Sequence, residues 1–243
     1  MIKRIKPTLL GFLLASLPAS ATISINIDIA SMYDAQGNNT AVSDGTFWIA
    51  IQDDGDGLIA GMSSAGSGQS IVTSGTADSF FTAGQTVTIG NNLAGGSGGD
   101  IIFAMGTTNE SAFGIAGSMS RTLGSMPIDG EPGAILTSGR TYGIFWFSDA
   151  SAFAGGGVNT TVGISHTIGS EVGGITSQVS EVGGQGPMLL PSSGTETHGA
   201  VDTASFGTRT LAEMNSVTLV PEPSSALLAM LGSLMLLRRR RQA

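Results

Sequence analysis

The densest run of chemistry-bearing side chains in the chain is Gln52-Asp53-Asp54-Gly55-Asp56-Gly57. If Gln52 is the first position of a calcium loop, oxygen ligands fall at Gln52, Asp54 and Asp56, the sharp-turn glycine at Gly57 and the usual apolar residue at Ile59. The twelfth position is then Ser63, whose hydroxyl cannot supply the bidentate carboxylate that closes such a loop, and no flanking helices are expected. The plainer reading is an acidic Asp-Gly turn after a strand over 47–51. A calcium ion on Asp54 and Asp56 is the alternative, and no other cofactor is expected.

Other motifs match in letter but not in context. Gly55-x-Gly57-x-x-Ala60 spells a dinucleotide fingerprint, yet the glycines and serines that follow make a poor helix and the aspartates would repel a pyrophosphate. Gly95-Gly96-Ser97-Gly98-Gly99 spells a nucleophile elbow, but a strand rather than a helix is expected next. His166 shares a period-two face with Val162, Ile164 and Ile168, which predicts a partly buried packing residue, and His198 falls in a polar Thr-Glu-Thr-His-Gly loop. Neither sits in a metal or triad pattern. Acid pairs for glycoside hydrolysis assemble only in the fold. Trp48, Tyr142 and Trp146 could stack on a sugar, but aromatic residues inside apolar strands are more often core.

The elements that must position these residues read as strands. Ile23, Ile25, Ile27 and Ile29 alternate with polar residues, which predicts a half-buried strand. Further strands are expected over 47–51, 86–89, 101–105, 141–147, 160–168 and 216–220, separated by Gly, Asn, Asp and Ser clusters. In 141–147 both faces are apolar, so that strand should be central and covered on both sides. The 37 glycines and the charged fraction of only 12% oppose long helices. An all-β body, a β-sandwich or jelly roll, is predicted, with one helix conceivable near 208–215. Residues 90–99 read as a loop, the twice-occurring Ser-Glu-Val-Gly-Gly within 170–184 as a hairpin or surface loop, and 187–199 as an exposed connection.

The two ends differ from this body. Lys3, Arg4 and Lys6 precede an apolar stretch over 9–17, and Ala19 and Ala21 put small residues where a signal peptidase inspects the chain, which predicts a signal helix in 1–21 cleaved after Ala21. At the other end Pro221-Glu222-Pro223 leads into an apolar run over 226–237 that stops at Arg238, Arg239, Arg240 and Arg241. Four guanidinium groups cannot follow the apolar run into a bilayer, so they should stay on the cytoplasmic side. A helix over 224–237 would span about 21 Å where a hydrocarbon core needs about 30 Å, which suits a transient anchor.

This tail resembles the PEP-CTERM sorting signal of bacterial surface proteins, in which Pro-Glu-Pro, a short hydrophobic helix and a basic end are read and processed by an exosortase. The resemblance covers about a tenth of the chain and implies a Gram-negative bacterium with an exopolysaccharide-associated surface. Together with the leader read above, it divides the chain into a signal peptide over 1–21, an extracytoplasmic domain over 22–219 and the sorting segment over 220–243, with signal peptidase, exosortase and inner membrane as partners, and exopolysaccharide as a further candidate. It implies nothing about the body's own activity.

Within 22–219 the only basic residues are Arg121, Arg140 and Arg209, against 17 acids, a net charge of minus 14. Such a surface cannot neutralise phosphates, which argues against nucleic acid as a partner. With no cysteine, the body must be stable through its core alone, and about 200 residues suffice for that. The expectation is therefore a non-enzymatic exported surface or matrix protein. A carbohydrate-binding or calcium-dependent adhesion module is the alternative, and a secreted hydrolase a third reading without a convergent catalytic set.

Overall fold

Strand β1 (Thr22–Ile29) turns Ile23, Ile25, Ile27 and Ile29 inward, each at most 1% exposed, as the alternation predicts. The computed structural model describes residues 21–29, 32–34, 40–59, 62–63, 81–93, 99–109, 117–175, 177–179, 185–200 and 217–218. The leader helix, the tail helix and the helix expected near 208–215 lie outside them, as does Ser97.

In chain order the strands after β1 are β2 (Phe47–Gln52), β3 (Leu58–Ile59), β4 (Met62–Ser63), β5 (Thr86–Thr88), β6 (Ile101–Thr107), β7 (Met119–Pro127) and β8 (Thr141–Phe147). They continue as β9 (Val158–Asn159), β10 (Ser165–Thr167), β11 (Glu171–Ile175), β12 (Ser177–Val179), β13 (Gln185–Leu189), β14 (Gly194–Ala200) and β15 (Val217–Thr218). The fold is all-β, and no helix occurs among the described residues.

The large sheet is built around β8, which pairs antiparallel with β2 along its whole length, from Phe47 opposite Phe147 to Gln52 opposite Tyr142. On its other side β8 pairs first with β13 and then with β11, and beyond β2 lie β6 and β9. All six residues of β2 and six of the seven in β8 are buried. Trp48, Ala50, Tyr142, Ile144 and Trp146 on one face join the four isoleucines of β1 in one cluster. Phe47, Ile49, Ile51, Phe145 and Phe147 on the other join Phe81, Val87, Ile89 and Ile168 in a second. The expectation that 141–147 is central and covered on both faces holds.

A three-stranded sheet places β1 between antiparallel β7 and parallel β14, and β5 pairs with β10 in a two-stranded sheet. Two bulges tune these surfaces. A register shift between Ala50 and Ile51 lets both Phe103 and Ala104 of β6 join the β1-side cluster. Another between Ile23 and Ile25 coincides with Ser125 of β7 at φ +53°.

Several sequence expectations are corrected. The strand expected over 160–168 is only β10, because a turn with Gly163 at φ +90° precedes it, and Val162 is 56% exposed rather than inward. Residues 187–199 are not an exposed connection. They hold the end of β13 and most of β14, with Met188, Leu190 and Pro191 buried. The first Ser-Glu-Val-Gly-Gly copy, expected in a hairpin or surface loop, has Glu171 to Gly174 in β11, where Gly173 and Gly174 pair with β8 and a Cβ on either would overlap the ring of Trp146 or Phe145. The β12–β13 hairpin brackets the second copy, which lies outside the described residues.

Candidate functional site

Strand pairing assembles the acidic site. In the β2–β6 ladder Gln52 lies opposite Ile101, so Asp53, just past the end of β2, meets Asp100, just before the start of β6. Asp53 is held from both sides of its peptide: its N–H donates to the Thr141 carbonyl at 2.9 Å, and its Oδ2 accepts from the Thr141 hydroxyl at 2.8 Å. Its Oδ1 accepts from the Gly55 N–H at 2.8 Å and from that of Gly57 at 3.4 Å, which folds the chain into the tight acidic turn. Gly55 sits at φ +109°, with the Arg140 guanidinium packed where a Cβ would be.

Asp54 closes the cluster. Its N–H donates to Asp100 Oδ1 at 3.2 Å, and its Oδ2 rests against Gly99, in space that any side chain there would take. One carboxylate oxygen from each of Asp53, Asp54 and Asp100 lies within 4.8 Å of the other two, and Asp53 and Asp100 are only 4% and 8% exposed. Two unit charges that close repel by roughly 3–4 kcal/mol at an effective dielectric near 20. Backbone N–H groups and the Thr141 hydroxyl offset part of this, and a hard divalent cation would act in the same direction.

The sequence-predicted pair is thus divided. Asp54 belongs to the cluster, whereas Asp56 is exposed and donates its N–H to Asp54 Oδ1 at 3.0 Å. Gln52 is buried, its Oε1 accepting the Thr137 N–H at 2.7 Å. Asp53 and Asp100 were not singled out by motif spacing. The signal that finds them is the pairing of the two apolar strands they flank.

The remaining candidates disperse. Trp48, Tyr142 and Trp146 are fully buried, so none of them offers a face to a sugar. The Trp146 indole donates to the Tyr33 carbonyl at 3.1 Å, while Trp48 Nε1 is buried without a hydrogen-bond partner among the described residues. His166 is half-buried, its ring 4.3 Å from that of Phe47 and its Nε2 2.9 Å from the Ser151 carbonyl oxygen. His198 has its backbone in β14 opposite Ile27. A small open cavity near Phe103, Met126 and Leu136 brings the hydroxyl residues Ser125 and Thr160 to an apolar wall and has no titratable residue in its lining.

Of the chain-end residues, Ala21 is described and leads directly into β1, whereas Ala19, Pro221, Glu222, Pro223 and Arg238 to Arg241 lie outside the described residues. No family model, curated protein or solved structure matches this chain.

Proposed function

We propose that the chain is an exported bacterial cell-surface or extracellular-matrix protein with a non-catalytic body, sorted through its carboxyl-terminal signal. In this reading signal peptidase cuts after Ala21. The apolar tail then holds an inner-membrane intermediate in place, and an exosortase acts at Pro221-Glu222-Pro223 before the body reaches the surface or the exopolysaccharide matrix. The body is a β-sandwich, its main core formed where the isoleucine face of β1 meets the Trp48–Trp146 face of the large sheet.

The observation that carries this reading is the order of the tail: Pro-Glu-Pro, a short apolar run, then four arginines. What the structure adds is that Trp48, Tyr142 and Trp146 serve the core. Replacing Arg238 to Arg241 together by glutamate removes the charge that fixes the inner edge of the tail. Surface labelling of cells carrying that variant should show display reduced at least several-fold, and undiminished display would contradict the proposal.

One observation favours a second reading for the body, namely the convergence of Asp53, Asp54 and Asp100. Carboxylate oxygens suit calcium, with waters completing its six to eight ligands. The ion would tie the end of β2 to the start of β6 and make the body a calcium-dependent adhesion module. Calcium at a hundred times its dissociation constant would add about 2.7 kcal/mol, or roughly 5–10 °C in melting temperature for a body of this size. The Asp100→Asn variant should lose that shift and Asp56→Asn should keep it. Equal melting in calcium and in chelator would rule the ion out.

A further inference from the structure

The bond that signal peptidase would cut lies inside the folded structure. Ala21, on the amino side of that bond, packs against the main core cluster. Its carbonyl accepts the N–H of buried Ile128 at 3.2 Å, and its own N–H donates to Glu131 Oε1 at 3.3 Å. Thr22, on the other side, is already the first residue of β1, paired with Pro127. No spacer separates the two.

The segment that grips Ala21 is built from tight, hydrogen-bonded turns. Asp129 and Gly130 take φ +57° and +84°, the pair of positive values that a type I′ turn requires, and the Glu131 N–H closes that turn on the Ile128 carbonyl at 3.3 Å. Pro132 and Gly133 follow as a second turn, with Gly133 at φ +82° and the Ala134 N–H on the Glu131 carbonyl at 2.8 Å. Asp129 Oδ1 also takes the Ser138 N–H at 2.8 Å, fixing the loop from its far side.

A peptidase must draw the residues around its scissile bond into its own cleft in extended form, which needs their backbone groups free. We infer that docking of Ala21 against Ile128 and Glu131 closes the amino-terminal cleavage site, so leader removal must precede folding of β1. The inference rests on the export reading above and deepens it. It requires a route that delivers the chain unfolded across the membrane. A precursor that folds first keeps its leader and holds the body flush against the bilayer.

The test uses the full-length precursor, refolded in detergent and treated with purified signal peptidase, with the cut located by intact mass. Each hydrogen bond protecting Ala21 is worth roughly a factor of two to ten in opening. The refolded precursor should therefore be cut about tenfold or more slowly than two variants. In one, Gly-Ser-Gly-Ser inserted after Ala21 moves the site clear of the fold. In the other, Ile27→Asp keeps β1 from docking. Glu131→Ala should speed cutting of the folded chain a few-fold, and Glu131→Gln, which keeps Oε1, should not.

Cutting of the refolded precursor as fast as the insertion variant would overturn the inference, as would an insertion variant that stays resistant while Ile27→Asp is cut. If even Ile27→Asp is not cut between Ala21 and Thr22, the export reading fails and takes the inference with it.

Discussion

At the scale of single residues, the structure shows glycines and aspartates used for close approach rather than for looseness. Gly174 lets β11 lie against the Phe145 ring, and a methyl group there would overlap it. Gly174→Ala should therefore cost about 1–3 kcal/mol by overpacking, read as a lower urea midpoint at unchanged slope. Asp149 fastens the turn after β8 to the start of β11. Desolvation is the largest influence on its carboxyl and pushes its pKa up, but hydrogen bonds from the Ser170 hydroxyl and from the Glu171 and Ser170 N–H groups outweigh it and hold the pKa below the usual carboxylate value. A depressed folded pKa gives stability that is present above the unfolded value and lost as pH falls through the folded one. Asp149→Asn should accordingly melt below the parent at pH 7, and the gap should close as the pH drops below the ordinary aspartate range, as followed by thermal melts. The role of Asp54 was half visible in its motif. That of Asp100 was not, because a residue 46 positions from its partner Asp54 is linked to it only by strand pairing.

At the scale of elements, legibility followed the strength of the apolar pattern, whether alternating or continuous. The strands β1, β2 and β8 were readable because their apolar residues repeat without interruption and their burial follows suit. Strand β7 was missed because its inward residues Met119, Leu123 and Met126 change phase at the Ser125 bulge, and Arg121 takes an inward position between them. That guanidinium bends to donate to the Thr107 and Thr108 carbonyls at 2.7 and 3.1 Å. Desolvation lowers its pKa, and the charge of Asp44 opposes the shift. Strand β14 was missed because Gly-Thr-Glu-Thr-His-Gly-Ala has no apolar period at all, and its place is set by parallel pairing with β1. Since β1 carries the middle of that sheet and its isoleucines fill the core, Ile25→Ala should cost about 2–5 kcal/mol, measured by denaturant titration. Amide exchange should be slowest in β2, β6 and β8, and faster in the two-residue strands β3, β4 and β15, which make few contacts with the rest. Uniform protection across these strands would contradict that ranking.

At the scale of the whole molecule, the chain combines a strongly acidic body with cationic ends. Between Lys6 and Arg238 there are only three arginines, so the positive charge of the protein is concentrated where export and sorting would act. The structure places β1 immediately after Ala21 and ends β15 at Thr218, three positions before Pro221. Three residues reach at most about 11 Å. On the proposed reading of the two ends, a body folded with both still in place would sit against the membrane. The measurement that tests this most directly is terminal mass spectrometry of the protein recovered from the surface of its own cells. A polypeptide that begins at Thr22 and has lost the residues beyond Pro223 is the predicted result. A surface protein that still begins at Met1 or still carries Arg238 to Arg241 would contradict the account.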